Sequence, residues 1–274
     1  MKKIDKFNKI FGTEEFIKDK YKFNLISLIV ESDEALLISD EENYVLARSA
    51  VGLPTWIWTK DGISREKVLQ IIEALNLYLT DNEKDKFTCK KELYDYFLQE
   101  NLDVLNKDDY FEMGFLCCDQ AKKPRETDGF IDTVTEEDID VITNYWYLDC
   151  KEMDDYEEIS IEQARIDAKE MIESGNLFVW KNKDNKIVCM ATYKETNGQA
   201  RVGHVFTSKD ERGKAYAANL IYEITKIVLD KGLVPLLYTD YNYVPSNKAY
   251  INAGYEDKGI LINFSCSKLK EDKN

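Results

Sequence analysis

The most constraining feature of the sequence is an apolar segment that runs through a charged turn directly into a long amphipathic helix, at residues 204–221. Apolar side chains after the turn recur at the spacing of one buried helix face; they are Ala217, Leu220, Ile221, Ile224, Ile227 and Val228. We therefore predict a strand that ends near Thr207 and a helix that begins at or just after Arg212 and Gly213. Because unpaired N–H groups and the helix dipole favour an anion at such a start, the turn is a candidate phosphate site.

Small residues keep this turn open to a ligand. Gly213 removes a side chain where a phosphate must approach, while Ala215 stays small and still favours helix. The pattern alone also describes an ordinary connection between a strand and a helix. The next segments favour the phosphate interpretation: residues 233–240 have the composition of a buried strand, Pro245 opens a second, short helix, and Gly254 closes it.

With these elements in place, the sequence resembles the GNAT superfamily of acyl-CoA N-acyltransferases in two separated motifs. Residues 212–217 are similar to the Arg/Gln-x-x-Gly-x-Gly/Ala signature that binds the pyrophosphate of coenzyme A. Residues 246–255 are similar to the second motif, in which a tyrosine, here Tyr250, lies four positions before a glycine and an aromatic residue. The resemblance covers the chain from about Ile131 onward and is strongest over residues 201–257.

The resemblance implies that three elements hold acetyl-CoA. A strand backbone pairs with the pantetheine arm, the turn binds the pyrophosphate, and the short helix lies beside them. These residues are Val205, Phe206, Thr207, Arg212, Gly213, Lys214, Ala215, Tyr216, Ala217, Ser246 and Asn247. Two positions depart from the family pattern. Ala215 replaces a usual glycine, which tightens the phosphate loop by one methyl group, and Tyr243 replaces a frequent asparagine, which removes a usual cofactor hydrogen bond.

The reaction implied by the resemblance is direct attack of an acceptor amine on the thioester. A backbone N–H of Val205 or a neighbour would stabilise the oxyanion. Tyr250, with an ordinary pKa of about 10, would protonate the leaving thiolate, and Asn247, one helical turn away, would help to hold the cofactor. The base is not identified. His204, the single histidine, points away from Val205 if the strand alternates regularly, so a structural histidine and a carboxylate acting through water remain alternatives.

Composition excludes several classes of protein. No run of about 20 apolar residues occurs and no apolar segment follows Met1, so neither a membrane span nor a signal peptide is expected, and the location expected is the cytoplasm. The six cysteines lack C-x-x-C spacing, so reduced thiols are expected and a metal site is not. The net charge of −15 disfavours nucleic acid and would attract a cationic amine, although the acidic run at residues 153–158 is more simply a solvated surface.

At 274 residues the chain can form two domains. In the first half we predict strands at 44–49, 55–59, 87–89 and 110–118 and helices at 64–79 and 91–100. This order matches that of the second half, but Asp61-Gly-Ile-Ser64 stands in place of an Arg-Gly turn. We therefore predict a mixed α/β fold with two domains. Residues 1–124 form a degenerate GNAT-like copy without a cofactor, and residues 125–274 form a GNAT acetyltransferase domain after a polar linker at 119–129.

In the second domain we predict a helix from residues 135–138 onward, a helix capped at 160–163 and ended by Gly175, a hairpin of strands at 176–180 and 186–193, and a strand at 201–207. In the resembled family the two leading helices cover the acceptor. That makes Trp146, Tyr147, Asp154 and Asp155 candidates to touch substrate, with helix packing the simpler interpretation of the two aromatic residues.

Three other functions fit parts of the sequence. A noncatalytic acyl-CoA sensor or interaction module would keep residues 212–217 without turning acetyl-CoA over. A transferase that uses charged tRNA, as some two-copy GNAT-like proteins are, is opposed by the charge of −15. A binding protein for another phosphorylated ligand is the third. The acceptor, a small molecule or a peptide amine, is not identified by the sequence.

Overall fold

A computed structural model describes residues 2–78, 85–99, 105–153 and 159–266. The chain divides into two compact units. The first comprises Met1–Phe115, Asp240–Asn242 and Lys258–Asn274, and the second comprises Leu116–Thr239 and Tyr243–Asp257. These units differ from a simple division at residues 124 and 125 because short segments near the end of the chain pack with the first half.

The first half of the chain contains every strand and helix predicted for it. The elements are β1 (Lys2–Lys3), α1 (Glu14–Asp19), α2 (Asn24–Ile29), β2 (Leu36–Ser39), β3 (Tyr44–Arg48), β4 (Thr55–Thr59), α3 (Arg65–Tyr78), β5 (Asp85–Lys90), α4 (Lys91–Gln99) and β6 (Leu105–Cys117). Strands β1 to β4 pair antiparallel in sequence order, and β4 pairs parallel with β5. No pattern in the sequence indicated β1, β2, α1 or α2.

The second half of the chain follows the same plan. Its elements are β7 (Phe130–Thr133), α5 (Ile139–Glu152), α6 (Ile161–Glu173), β8 (Leu177–Lys181), β9 (Ile187–Thr196), β10 (Gln199–Thr207), α7 (Tyr216–Asp230), β11 (Val234–Asp240), α8 (Val244–Ala253) and β12 (Glu256–Cys266). Strands β7 to β10 pair antiparallel in sequence order, and β10 pairs parallel with β11. Element order and pairing sense therefore repeat, which confirms the predicted mixed α/β fold and its repeated topology.

Strand β12 shows why the units are not simple halves. From Leu261 to Cys266 it pairs antiparallel with β5, opposite Lys90 to Asp85. Ile262 and Phe264 bury their side chains in the core of the first unit. The last strand of the second repeat thus completes the core of the first unit, whereas the sequence prediction assigned it to the second domain. An apolar strand carries no local signal for the sheet edge that it joins.

Two separate apolar clusters cover the two faces of the sheet in the second unit. Along β9, Cys189 and Ala191 pack with α7 and α8, while Met190 between them packs with α5 and α6. The predicted buried face of α7 is confirmed at Leu220, Ile221, Ile224 and Val228, which are buried, whereas its other two members, Ala217 and Ile227, are half-buried. Among the described residues, no helix combines the length and apolarity needed to cross a membrane.

Candidate functional site

The predicted strand near His204 is interrupted by a β-bulge. Gly203 lies opposite Thr192 and Phe206 lies opposite Met190, so three steps along β10 match two along β9. His204 occupies the bulge with φ of +51°. A bulge leaves its extra residue out of the hydrogen-bond ladder and turns the strand. The regular alternation assumed for His204 and Val205 from the sequence is therefore wrong at this point.

The pairing of β10 with β11 ends just before the bulge. Their parallel register runs only from Gln199 opposite Val234 to Arg201 opposite Leu236. Both strands continue past this point, β10 to Thr207 and β11 to Asp240. The backbone edge of β10 near Val205 therefore faces an opening in the sheet, which is where an extended ligand arm can pair with a strand.

The turn after β10 has the backbone shape of an anion cradle. A short 3₁₀ helix, Lys209–Glu211, leads to Gly213 with φ of +77° and Ala215 with φ of +68°. A side chain added at Gly213 would meet no protein atom within 4 Å, so the space above the turn is open. Helix α7 begins at Tyr216, three residues after Gly213, because Ala215 acts as its N-cap. The N–H groups of this first turn are the ones that favour an anion.

Ala215 is strained in this position, because the left-handed region disfavours any residue with a Cβ atom. Replacing Ala215 by glycine is expected to stabilise the protein by about 1 kcal/mol. Ala217→Gly is the matched control: it lies in the ordinary first turn of the same helix and is expected to cost about 1 kcal/mol. Denaturant unfolding measures both changes, and loss of stability in both variants would contradict the strain at Ala215.

Residues 119–129, predicted as a polar linker, form hydrogen bonds with this turn and with the start of α7. Arg125 Nη2 donates to the Gly213 carbonyl, and Asn219 Nδ2 donates to the Arg125 carbonyl at 3.1 Å. The Tyr216 hydroxyl donates to Asp128 Oδ1 at 2.6 Å. The segment has no regular structure until β7, as its composition predicts. Its side chains and carbonyls nevertheless form hydrogen bonds with the start of α7. Its composition gave no indication of these contacts.

The charged side chains of the turn are paired. Arg212 Nη2 contacts Glu152 Oε2 at 2.6 Å, and Arg212 Nε donates to the Thr207 carbonyl at 3.0 Å. Lys214 Nζ contacts Glu211 Oε2 at 2.7 Å. These contacts leave the backbone N–H groups, rather than the cationic side chains, as the principal donors to an anion above the turn.

Helix α8 brings Tyr250 to the apolar core beside α7. The Tyr250 ring is buried and packs edge-on against Tyr255 with 6.3 Å between ring centroids. Gly254 ends the helix with φ of +107°, as predicted. Ser246 Oγ lies 3.1 Å from Thr239 Oγ1, and Ser246 also donates to the Tyr243 carbonyl. Burial, and after it the Asp149 carboxylate and Cys189, raise the pKa of Tyr250 above its ordinary value, so the phenol is protonated at neutral pH.

His204 is held by helix α5. Its ring packs edge-on against Trp146 with 4.7 Å between centroids, and burial lowers the pKa of His204 to about 4. The Trp146 Nε1 donates to Asp167 Oδ2 at 2.8 Å, which fits helix packing for Trp146. The Tyr147 ring lies under Lys151 Nζ at 4.5 Å. The other two acceptor-site candidates, at positions 154 and 155, lie outside the described residues.

Asp149, on the last turn of α5, is a buried carboxyl that the sequence analysis did not single out. Its Oδ2 atom has no hydrogen-bond partner among the described residues. Burial first, and Glu152 second, raise the pKa of Asp149 to about 7, with Arg212 acting in the opposite direction. Asp149 is one polar residue within an amphipathic helix, and nothing in the sequence shows that its carboxyl is buried. Within the described part of the chain, no cluster of three His, Cys, Asp or Glu side chains is placed to hold a metal ion.

In the equivalent turn of the first unit, a glycine N–H donates to a carboxylate of the protein. Between β4 and α3, the Gly62 N–H donates to Glu92 Oε2 at 3.2 Å. Asp61 in the same turn contacts Lys90 at 2.6 Å and Lys18 at 3.1 Å. The register of β3 and β4 runs from Tyr44 to Ala47 without a bulge. The first unit therefore repeats the topology of the second without the bulge, and the N–H of its turn glycine is already paired with a carboxylate.

The bulged and separated strands, the left-handed turn and the buried tyrosine all lie in the second of two repeats of a mixed α/β fold. Residues 142–255 match the family described as the acetyltransferase (GNAT) family. The second half of the chain thus contains a domain of the GNAT acetyltransferase family. No curated protein is detectably similar to the chain in sequence.

Solved structures share the fold over nearly the whole chain. A GNAT acetyltransferase from Colwellia psychrerythraea is 13% identical with a TM-score of 0.61, covering 97% of this chain and 99% of that one. A GCN5-related N-acetyltransferase from Kribbella flavida is 14% identical with a TM-score of 0.58, covering 90% and 95%. A tandem GNAT protein from the clavulanic acid biosynthesis pathway is 9% identical with a TM-score of 0.54, covering 98% of each chain. At these identities the likeness concerns the fold alone.

Proposed function

We propose that the chain is an N-acetyltransferase that moves the acetyl group of acetyl-CoA directly to an amine. One observation carries the proposal: the pairing of β10 with β11 ends at Arg201, so the edge of β10 is open from there to the turn of Gly213. A thioester in the opening, with its pyrophosphate on the turn, would place the reacting carbonyl between the strand edge and the phenol. The family of the domain supports acyl transfer in general, and the cosubstrate, acceptor and direct attack are the proposed part.

The proposed cofactor contacts are mainly to backbone. Residues 205–207 would pair with the pantetheine arm along the free edge of β10, and residues 212–217 would hold the pyrophosphate with N–H groups. Phe206 turns its side chain into the core against Tyr145, with 5.2 Å between ring centroids, so only its backbone is offered to a ligand. Ser246 and Asn247, at the start of α8, would lie along the other side of the arm.

The proposed chemistry needs an oxyanion donor and an acid. The bulge leaves a strand N–H near Val205 out of the ladder, which supplies a donor that needs no reorganisation. Tyr250 would give its proton to the sulfur as the C–S bond breaks. Without such an acid, the thiolate of coenzyme A would leave as an unsolvated charge in a buried, apolar surrounding.

Purified protein incubated with acetyl-CoA and a panel of amines tests the proposal through the released thiol. We expect turnover with at least one amine, and native mass spectrometry of the purified chain is expected to find one bound coenzyme A per chain. Coenzyme A binding without turnover of any amine would favour a noncatalytic acyl-CoA sensor. Two equivalents bound per chain would contradict the expectation that the first half binds no cofactor.

Replacing Gly213 by aspartate is expected to weaken coenzyme A binding by at least tenfold, because the carboxylate would stand in the open space above the turn and repel the pyrophosphate. The matched control is Gly232→Asp. Gly232 follows the other end of α7, with φ of +72° and no atom within 4 Å of an added Cβ, so backbone strain and charge change equally. Titration calorimetry measures both affinities, and equal affinities in the two variants would place the pyrophosphate elsewhere.

A further inference from the structure

We propose that Asp149 is the general base of the reaction, and that its acceptors are aliphatic amines that arrive as ammonium ions. The inference rests on the proposed acetylation of an amine, and it supplies the base that the sequence could not identify. It comes from a buried carboxylate whose position no structural contact explains.

Asp149 is only 8% exposed, and its Oδ2 atom has no partner among the described residues. Buried polar atoms in folded proteins are nearly always hydrogen-bonded, so an unpaired carboxylate oxygen needs a reason. A buried carboxylate oxygen without a hydrogen bond destabilises the folded protein. A ligand that donates a hydrogen bond to Oδ2 during the reaction gives such a reason.

The helices that carry Asp149 and Tyr250 cover opposite faces of the sheet in the second unit. Asp149 lies on α5, which packs on one face of the sheet, and Tyr250 lies on α8, which belongs to the cluster on the other face. The two nevertheless interact electrostatically, since the Asp149 carboxylate contributes to the raised pKa of Tyr250 and of Cys189. The gap that begins beyond Arg201 and Leu236 is the part of the sheet where groups from both faces can meet.

Several ionisable groups surround this carboxyl. Glu152 on α5 raises the pKa of Asp149, and Arg212 on the turn lowers it. The Asp149 carboxylate in turn raises the pKa of Cys150, Cys189 and Tyr250. Burial is the largest influence and, with Glu152, raises the pKa of Asp149 to about 7. A base is most effective when its pKa lies near the working pH, because it is then both ionised and able to hold a proton.

Two other groups near the bulge fit the role less well. Burial lowers the pKa of His204 to about 4, so its ring is a weak base at neutral pH, and Trp146 packs against it. Glu152 is engaged by Arg212 at 2.6 Å and by Lys209 at 3.6 Å. Asp149 alone among these three combines a carboxylate oxygen without a partner and a pKa near neutrality.

The proton balance is complete with groups already named. An ammonium acceptor gives one proton to Asp149 Oδ2, and the neutral nitrogen then attacks the thioester carbon. As the tetrahedral adduct collapses, the C–S bond breaks and sulfur takes the Tyr250 proton. The phenolate regains the second proton of the nitrogen, and Asp149 releases the first to solvent. The products are the N-acetyl amine, coenzyme A with a free thiol, and one proton.

The matched pair of acceptors is benzylamine, which is protonated at neutral pH, and aniline, which is not. Asp149→Asn keeps the shape of the side chain and removes the base. We expect it to lower kcat/KM for an aliphatic ammonium such as benzylamine by about a hundredfold or more. For aniline, the loss is expected to be much smaller, because no proton must leave before attack. The affinity for acetyl-CoA, measured by calorimetry, is expected to stay the same.

The pH profile gives a second readout of the same variant. In the wild type, kcat/KM for benzylamine is expected to fall as the pH drops below about 7, where Asp149 takes up its proton, and this limb is expected to disappear in Asp149→Asn. The control is Asp140→Asn on the same helix, where an exposed carboxylate contacts Arg165 at 2.5 Å. That variant is expected to keep the rate and the profile of the wild type.

Thermal unfolding tests the buried charge without any turnover. The folded pKa of Asp149 lies above its unfolded value of about 3.9, so ionisation destabilises the fold as the pH rises from 4 to 7. Asp149→Asn is therefore expected to have a higher Tm than the wild type at pH 8, with the difference shrinking as the pH falls toward 4. Asp140→Asn is expected to show no such trend.

The outcomes separate the two levels of the proposal. A wild type that acetylates no amine overturns the proposed function and this inference with it. Turnover by the wild type with equal benzylamine rates and equal acid limbs in Asp149→Asn overturns the assignment of the base alone. An equal loss for benzylamine and aniline makes Asp149 a positioning residue and overturns its role in removing the ammonium proton.

Discussion

Replacing Phe264 by alanine is expected to destabilise the first unit by about 3–5 kcal/mol, the usual range for a buried phenylalanine. Phe264 is 2% exposed and lies in β12, near the end of the chain. Its ring packs among aromatic rings of the first unit, with centroid distances of 5.3 Å to Phe87, 5.2 Å to Tyr94 and 5.9 Å to Phe97. Truncation would leave a cavity among rings that cannot collapse together, because they are fixed by β5 and α4.

The four tryptophans allow the two units to be followed separately. Trp56 and Trp58 lie in the first unit, and Trp146 and Trp180 lie in the second. With the second pair replaced by phenylalanine, fluorescence during urea unfolding reports the first unit, and the reciprocal protein reports the second. Phe264→Ala is expected to lower the midpoint reported by Trp56 and Trp58.

The matched control for that experiment is Ile251→Ala, which removes an apolar side chain from the same end of the chain at a position that is 55% exposed. It is expected to change the stability by less than about 0.5 kcal/mol. A larger effect of Phe264→Ala on the transition of the second unit than on that of the first would contradict the role of β12 in the first core.

Local patterns were sufficient for much of the second unit. Ser160 Oγ accepts from the Gln163 N–H at 3.1 Å, as the capping pattern predicted, and Gly254 closes α8 in the left-handed conformation. The buried stripe of α7 follows directly from the period of its apolar residues. These features depend on residues within one or two helical turns of each other, so they can be predicted from the local sequence.

Features that depend on distant residues were missed. The start of α7 was placed too early because the sequence does not show that Ala215 adopts a left-handed conformation. The bulge at His204 depends on the fit of β10 against β9, and the pairing of β12 with β5 depends on contacts between residues more than 170 positions apart, such as Thr88 with Asn263.

Asp149, the proposed base, was also not indicated by the sequence. Asp149 is one of 52 acidic residues, and nothing in its neighbourhood distinguishes it from the solvated ones. Its chemistry arises from burial by α5 against the sheet and from the nearness of Glu152 and Arg212, which are three and 63 positions away. Electrostatic environment is a property of the packed chain, so the sequence could name an acid in Tyr250 but no base.

Replacing Tyr250 by phenylalanine is expected to lower kcat by about a hundredfold or more, because a positioned general acid contributes roughly that factor. The ring and its packing against Tyr255 are retained, so folding and acetyl-CoA affinity are expected to change little. Burial and the nearby Asp149 carboxylate hold the pKa of Tyr250 above its ordinary value, so the phenol stays protonated over the neutral range. The Tyr250 phenol can therefore act as an acid at any neutral pH at which the base is ionised.

The measurement compares kcat and the acetyl-CoA KM at a saturating acceptor. A fall in kcat and in kcat/KM by the same factor is the sign of an interaction made in the transition state only. Tyr193→Phe is the control, because Tyr193 belongs to the same buried cluster and its hydroxyl accepts a hydrogen bond from Lys231 at 2.7 Å. That variant is expected to keep the wild-type kcat. A wild-type kcat in Tyr250→Phe would assign the proton on sulfur to water, whereas an acetyl-CoA affinity that falls as steeply as kcat would make Tyr250 a binding residue.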